Sequence, residues 1–296
     1  MPITKTDTKI WNHQSKEDSL FVTFWGVRGT LPTPGWQTSK YGGNTSCVEI
    51  NYSSRGSLHA IILDAGSGIV RCGENALKRG DNTFHIVLTH MHYDHIIGLT
   101  KFTPLFKRNC KIHIYGHSKQ TESFENAIKN IFRDPYFPVL FKDLPAAPNI
   151  SFHDLGTAQH CEINGLKLET LALNHPQDAT AYKVFSPLGS KNIIYATDHE
   201  HGTEKDKALK VFVKKTNLFI FDSTYSESDF SKYKGWGHST ASFGAQISKD
   251  SNVESYAIFH HDPDSTDKIL EEKILPEAKA IFQNSFLAKE KKTLII

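Results

Sequence analysis

Thr89-His90-Met91-His92-Tyr93-Asp94-His95 follows directly on the apolar stretch Phe84-His85-Ile86-Val87-Leu88. Three imidazoles and one carboxylate therefore fall within six residues at the end of a segment that reads as a β-strand. Side chains alternate along an extended chain, so His90 and His92 leave the same face. Asp94 and His95 lie on the turn beyond and are free to face a second point. That geometry suits two metal ions side by side rather than one. The chain holds sixteen histidines, which makes chance clusters easier to find. A purely structural cluster is nevertheless awkward, because adjacent buried imidazoles and carboxylates must all find partners. Metal binding is the better reading.

Two ions need about seven or eight protein donors, and further candidates recur downstream in the same setting. Asn174-His175-Pro176 follows the apolar segment 166–172. Thr197-Asp198-His199 follows Ile193-Ile194-Tyr195-Ala196, and His260-His261-Asp262 follows Tyr256-Ala257-Ile258-Phe259. A histidine at one strand end is ordinary; the same placement in three separate strands points to one shared site.

Strands are predicted at 21–27, 47–52, 59–64, 84–89, 111–115, 150–153, 166–172, 180–185, 192–196, 218–221 and 255–259. Helices are predicted at 70–78, 119–131, 204–213, 240–248 and 267–286, the last kinked or broken at Pro276. Each half runs strands first, then strand–helix alternation. Two mixed sheets packed face to face, with helices outside, satisfy that order. No linker divides the chain, so residues 21–296 read as a single domain. Residues 1–20, polar and mixed in charge, read as a flexible arm. The formal net charge of +2 argues against a large nucleic acid or an anionic membrane as partner. No apolar run is long enough to span a membrane. Cys47, Cys72, Cys110 and Cys161 form no paired motif and read as reduced thiols of a cytoplasmic protein.

The His-x-His-x-Asp-His run, with a later His, an Asp and a final His, resembles the metallo-β-lactamase superfamily. The resemblance implies an α/β fold, a four-layered αββα sandwich with a dinuclear site between the sheets. Carried over, His90, His92 and His175 hold one ion, Asp94, His95 and His260 hold the other, and Asp198 bridges them. His260 is taken as the ligand because it comes first after its strand; His261 is the alternative. Three further segments narrow the match: Phe24-Trp25-Gly26-Val27-Arg28-Gly29-Thr30 with Tyr41-Gly42-Gly43-Asn44-Thr45-Ser46, then Leu63-Asp64-Ala65-Gly66-Ser67-Gly68, and Gly237-His238-Ser239-Thr240 after Phe221-Asp222-Ser223. Together they resemble the phosphodiesterase branch, which includes tRNA 3′-end endonucleases and bacterial and phage cyclic-nucleotide phosphodiesterases.

The residues agree with that branch. Asp64 ends an apolar strand, placed to orient a ligand imidazole. Gly42 and Gly43 allow close backbone approach to an anion, with Asn44, Thr45 and Ser46 as neutral donors to a phosphate oxygen. His238 precedes a helix-start signal, and the resemblance makes it the proton donor to the leaving oxygen, kept charged by Asp222. Asp94 joins it among the catalytic groups. The expected reaction is hydrolysis of a phosphodiester to a monophosphate by a metal-bridging hydroxide. Zinc is the expected metal; manganese and iron also suit His and Asp donors. No long Gly/Pro-rich arm of the kind that grips tRNA is present, so a small phosphodiester is expected, a 3′,5′-cyclic nucleotide first. Arg133, Tyr136 and Phe137 are candidates to hold phosphate and base, with Trp25, Trp36 and Trp236 lining the entrance. The resembling enzymes imply a homodimer. The rival readings are a phosphoribosyl cyclic phosphodiesterase, a lactonase, a short-RNA nuclease, which requires a basic track beside the metals, and a non-catalytic nucleotide sensor.

Overall fold

The computed structural model describes residues 18–54, 57–117, 122–156 and 160–296. Its first strands, β1 (Leu20–Gly26), β2 (Cys47–Ser54) and β3 (Ser57–Leu63), form an antiparallel meander. Helix α1 (Ile69–Arg79) then crosses to β4 (Thr83–Val87), parallel to β3. After the one-turn helix α2 (Tyr93–Ile96) come β5 (Lys111–Gly116), α3 (Phe124–Lys129) and β6 (Ile150–Asp154), which extend the parallel part. The second sheet repeats the plan. Strands β7 (His160–Ile163), β8 (Leu166–Leu173), β9 (Ala179–Phe185) and β10 (Asn192–Ala196) are antiparallel. Strand β10 continues in parallel through α4 (Lys205–Phe212), β11 (Leu218–Asp222), α5 (Glu227–Phe230), α6 (Ala241–Asp250) and β12 (Ser255–Phe259). After α7 (Asp267–Ile269) and α8 (Leu275–Lys279), β13 (Ser285–Leu287) closes this sheet, and β14 (Thr293–Ile295) returns to pair with β1. The orders are β14-β1-β2-β3-β4-β5-β6 and β13-β12-β11-β10-β9-β8-β7.

The layers follow from strand alternation. Leu20, Val22, Phe24, Ile50, Tyr182, Tyr195 and Phe259 meet between the sheets. On the outer face of the first sheet, Phe84, Ile86, Ile112 and Ile114 pack under Ile69 and Cys72 of α1 and Phe124 and Ile128 of α3. On the outer face of the second, Ile194, Phe219, Phe221 and Ile258 pack under Leu209, Ala241, Ala245 and Ala278. This is the expected αββα sandwich. Covered on both faces, β11 is buried throughout, as parallel strands are. The carboxyl ends of β3, β4, β10, β11 and β12 all open on one edge of the sandwich, where ligands bind in such folds.

Several expectations need correction. The helix expected over 267–286 stops at Lys279, and Ser285–Leu287 is a strand beside Tyr256–Ile258. Its apolar spacing fits a buried strand as well as a helix, so periodicity alone misplaces it. The kink at Pro276 is a wide π turn, Leu270–Ile274, which shifts the hydrogen-bond register just before the residue that lacks an N–H. Strands β7 and β14 are three or four residues long at sheet edges and carry little pattern. Of the arm expected over 1–20, residues 1–17 lie outside the described residues; Leu20 already belongs to β1, and Asp18 accepts hydrogen bonds from Leu188 N and Ser190 N. The helix expected from 119 spans Phe124–Lys129, and residues 119–121 lie outside the described set.

Gly66 and Gly98 press the loop after β4 against the end of β3: a Cβ on Gly98 would overlap the Gly66 carbonyl oxygen, and one on Gly66 would overlap the Asp94 carbonyl. Gly98→Ala is expected to cost about 1–3 kcal/mol, read as a lowered melting temperature. Gly80→Ala meets no atom but must hold a φ of 96°, and should cost about 1 kcal/mol. Equal, negligible losses would contradict this packing.

A second feature concerns pH. The face of β4–β6 turned toward the other sheet carries His85, His113, Tyr115 and His153, with His59 nearby and no carboxylate among the groups that shift His85. Burial first, then His113, His153 and His59, push His85 from 6.5 to about 4. Between those values the unfolded chain takes up a proton that the folded one refuses, so stability present above 6.5 is lost as pH falls toward 4. His85→Gln should flatten the fall in melting temperature across that window; an unchanged slope would refute the assignment.

Candidate metal centre

The residues after β4, β8, β10 and β12 converge. Donor-type atoms of His90, His92 and His175 lie within 4.8 Å of one another, as do those of Asp94, His95, Asp198 and His260. His92 caps the amino end of α2, so Asp94 and His95 sit in its single turn and point back at the strand ends. Asp198 stands between the groups. Its Oδ1 is 3.3 Å from His95 Nε2 and 3.4 Å from His260 Nε2, and its Oδ2 is 3.7 Å from both His90 Nε2 and His175 Nε2. Asp94 Oδ2 is 3.2 Å from His95 Nε2 and from His260 Nε2.

These residues fit a metal. His90 Nε2 and His95 Nε2 are buried without a hydrogen-bond partner, and buried polar atoms are rarely left so. Donors about 2.1 Å from one tetrahedral ion stand about 3.4 Å apart, close to the spacings in the second group. Electrostatics agrees. Burial opposes ionisation of Asp94, but His95 and His260 hold its carboxyl far below the usual range. Asp198 is likewise lowered against burial by His260, His95 and His90. Burial keeps His90 neutral, and it lowers His175 to about 4 although Asp198 works against it. Ionised carboxylates and neutral imidazoles are the forms that bind metal. His95 is the exception. Asp94, Asp198 and Asp64 overcome its burial and favour the imidazolium, so an ion there must displace a proton.

Outer partners fix the donors. Asp64, fully buried, accepts from Thr89 N (2.8 Å), Tyr195 Oη (2.8 Å), Thr89 Oγ1 and His95 Nδ1 (2.8 Å). It orients His95 directly and His90 through Thr89, whose hydroxyl lies 3.0 Å from His90 Nδ1. His175 Nδ1 donates to Gly237 O (2.8 Å), His92 Nε2 to Gln177 Oε1 (2.6 Å), and His260 Nδ1 meets Thr224 Oγ1 at 3.0 Å. Each ring therefore presents its other nitrogen to the cluster. Asp64, Asp198 and His260 have φ of 60°, 63° and 58°, left-handed values rare outside glycine. All three sit just beyond strands, and such strain of about 1–3 kcal/mol each concentrates at functional sites.

His238 lies beside the cluster. Thr240, not Ser239, caps α6 by accepting from Phe243 N, which sets His238 just before the helix. Its Nδ1 is 2.9 Å from Asp222 Oδ2, and its ring stacks 4.8 Å from His260. Burial opposes charge here, but Asp222 raises His238 to about 9. Asp222 is fixed in turn by His199 N and by Thr224 N and Oγ1.

Other expected site residues are placed differently. His261 points away: its Nε2 donates to Ala288 O at 3.0 Å, and burial lowers it to about 3. Asn44, Thr45 and Ser46 are spent on the protein. Asn44 donates to Glu290, Thr45 and Ser67 bond each other reciprocally, and Ser46 is fully buried. The loop therefore walls the site rather than offering phosphate donors. Phe137 packs edge-on against Phe132 in the helical layer, and Arg133 lies over the Tyr136 ring; none of the three joins the cluster's hydrogen bonds or ring contacts. Trp25 is buried and donates to Glu49, whereas Trp36 and Trp236 are exposed. Sequence reasoning missed Arg28, whose fully buried guanidinium donates to Gly42 O, Asp262 O and Ser265 O and joins loops from both ends of the chain. It also missed Glu200, which accepts from Gly235 N and Gly237 N.

Residues 59–261 match the family model of the beta-lactamase superfamily domain. The chain belongs to that superfamily and has the metallo-β-lactamase fold, the fold of a hydrolase family whose sites imply divalent metal ions. Ribonuclease Z of Prochlorococcus marinus (strain NATL1A) is 24% identical over 325 residues, which cover 91% of this chain and 96% of the relative. Among solved structures, the metallo-beta-lactamase fold protein YhfI of Bacillus subtilis aligns with a TM-score of 0.70 at 16% identity, covering 94% of this chain and 100% of that one. Unliganded yeast PDE1 aligns at 0.69 and 14% identity, with the same coverage. No helix among the described residues is long and apolar enough to cross a membrane.

Asp64→Asn keeps the volume but cannot accept every bond now made to Asp64. It should lower metal affinity by about 10–100-fold, measured by competition with a chromogenic chelator. Unchanged affinity would show that Asp64 does not orient the donors.

Proposed function

We propose that this member of the superfamily is a metal-dependent phosphodiesterase acting on a small phosphodiester, a 3′,5′-cyclic nucleotide first. In this reading His90, His92 and His175 hold one ion, Asp94, His95 and His260 the other, and Asp198 turns one oxygen to each group. The ions are divalent, with zinc first among metals that suit His and Asp donors. When bound they would neutralise phosphoryl oxygens and acidify water.

The observation that carries the reaction class is the His238–Asp222 pair. Its nitrogen Nδ1 is taken by Asp222, which leaves Nε2 to carry a proton to a ligand. The ring keeps 13% exposure, whereas the His95 and His260 side chains have none. It therefore faces the opening rather than the buried donor group. Cations beside it would lower its pKa from about 9 toward neutrality, where an acid works best. Water adds to phosphorus, one ester P–O bond breaks, and His238 protonates the departing oxygen. Asp94, fixed by the Thr30 amide at 2.8 Å, is proposed to orient the attacking water by accepting a hydrogen bond from it, and the water's proton leaves to solvent. Tyr93, between two donor residues, and Trp236, two residues before His238, are exposed and offer faces on which a base can stack.

The ribonuclease Z of Prochlorococcus marinus, aligned along 96% of its length, favours a second reading in which the diester lies in RNA. Assay of the metal-loaded protein on cyclic nucleotides and on short single-stranded RNA decides between them. Turnover confined to RNA would overturn the small-substrate reading. His238→Ala should lower turnover of the cyclic nucleotide by about 10²–10⁴-fold with metal content unchanged. The loss should be much smaller on a 4-nitrophenyl phosphodiester, whose leaving group needs no proton. Equal losses on both would remove His238 from the role of acid.

A further inference from the structure

A second group of histidines lies on the inter-sheet face of the first sheet, away from the metal centre. His85 lies on β4, five residues before His90 of the loop that follows, roughly 16 Å upstream in an extended chain. Parallel pairing places His85 directly opposite His113, and Tyr115 directly opposite His153. The rings follow that register. His85 and His113 stack at 4.8 Å with planes 9° apart, and Tyr115 and His153 stack at 4.3 Å and 12°. Across the diagonal, His113 Nδ1 and His153 Nε2 stand 3.1 Å apart and share one proton between them. His85 Nδ1 meets Tyr115 Oη at 3.1 Å. All four side chains are half-buried, so solvent reaches the group without flooding it.

We propose that His113 and His153 chelate one transition-metal ion of the borderline-soft class, copper, nickel or zinc, separate from the ions of the catalytic centre. Nitrogens at about 2.05 Å from one ion span about 2.9 Å at a right angle and about 3.4 Å at the tetrahedral angle. The observed 3.1 Å falls between those values. The two donor rings are held in place by separate stacks, so little side-chain freedom is lost when they close on an ion. Burial and then His113 lower His153, and no acid figures among the groups acting on it. Neutral nitrogen without carboxylate selects against calcium and magnesium, which take oxygen ligands. The nearby Asp154 is paired with His117 at 2.7 Å.

The test is titration of the full-length protein, first loaded with only the two equivalents of zinc that the catalytic centre takes, with Cu(II), followed by paramagnetic resonance and by elemental analysis. One equivalent of copper should enter while zinc is retained, with hyperfine structure from two imidazole nitrogens. His153→Gln should abolish that signal, and His113→Gln should do the same in a side chain that still hydrogen-bonds if the first variant folds poorly. Copper that enters only by releasing zinc one for one overturns the site, as does a signal that persists in both glutamine variants.

Discussion

The carboxylate of Asp64 is the joint on which the rest of the centre turns. It belongs to the first sheet, at the end of β3, yet it accepts the phenol hydrogen of Tyr195 from the second. On the same two oxygens it receives the Thr89 amide and hydroxyl and the His95 ring. One buried anion thus fixes the gap between the sheets, the start of the histidine loop and the direction of two donor rings. A buried carboxylate is tolerable only when its lone pairs are all used, and here they are. Removing one partner would strand the others, so the arrangement behaves as a unit rather than as four separate bonds.

The cost of the centre is distributed in the backbone. Asp64, Asp198 and His260 each adopt a left-handed conformation at the end of a buried strand. The parallel strands themselves are stable because both faces are covered, and that stability supports the local strain. The strain turns the chain sharply, so that the side chain leaves along the strand axis instead of into one of the two apolar layers. A donor left in the strand would be buried in Ile and Phe; one residue later, in this conformation, it faces the open edge. The same logic explains why Arg28 is fully buried near the site. It donates to carbonyls of two loops, and its charge lies beside His261, whose ring is turned to Ala288 O.

Much of this was legible in the chain. The apolar runs before His90, Asp198 and His260 located both the strands and their donor ends, because period-two patterning and a polar break are both local signals. Asp64 and Asp222 were legible for the same reason. What could not be read was the use of groups whose bonds are long-range. Thr89, Tyr195, Gln177 and Thr224 acquire their roles only when separate strands come together. Asn44, Thr45 and Ser46 had the composition of an anion loop, but whether a donor faces a ligand or its own protein depends on Glu290 and Ser67, distant in sequence. The strand Ser285–Leu287 was lost because an apolar run alone carries no choice between helix and buried strand.

The two histidine groups of this molecule separate what imidazole does from what carboxylate does. At the edge of the metal centre Asp94, Asp198, Asp64 and Asp222 surround the rings. Two dications bring four positive charges into a buried space, which several ionised carboxylates can balance. On the face of β4–β6 the rings are stacked without an acid among them, and burial lowers His85 and His153. Such a group cannot balance two close dications; it can only offer lone pairs to one ion that binds nitrogen well, with solvent completing its shell. The count of buried carboxylates, more than the count of histidines, therefore distinguishes the edge that suits two close dications from the face that suits one ion.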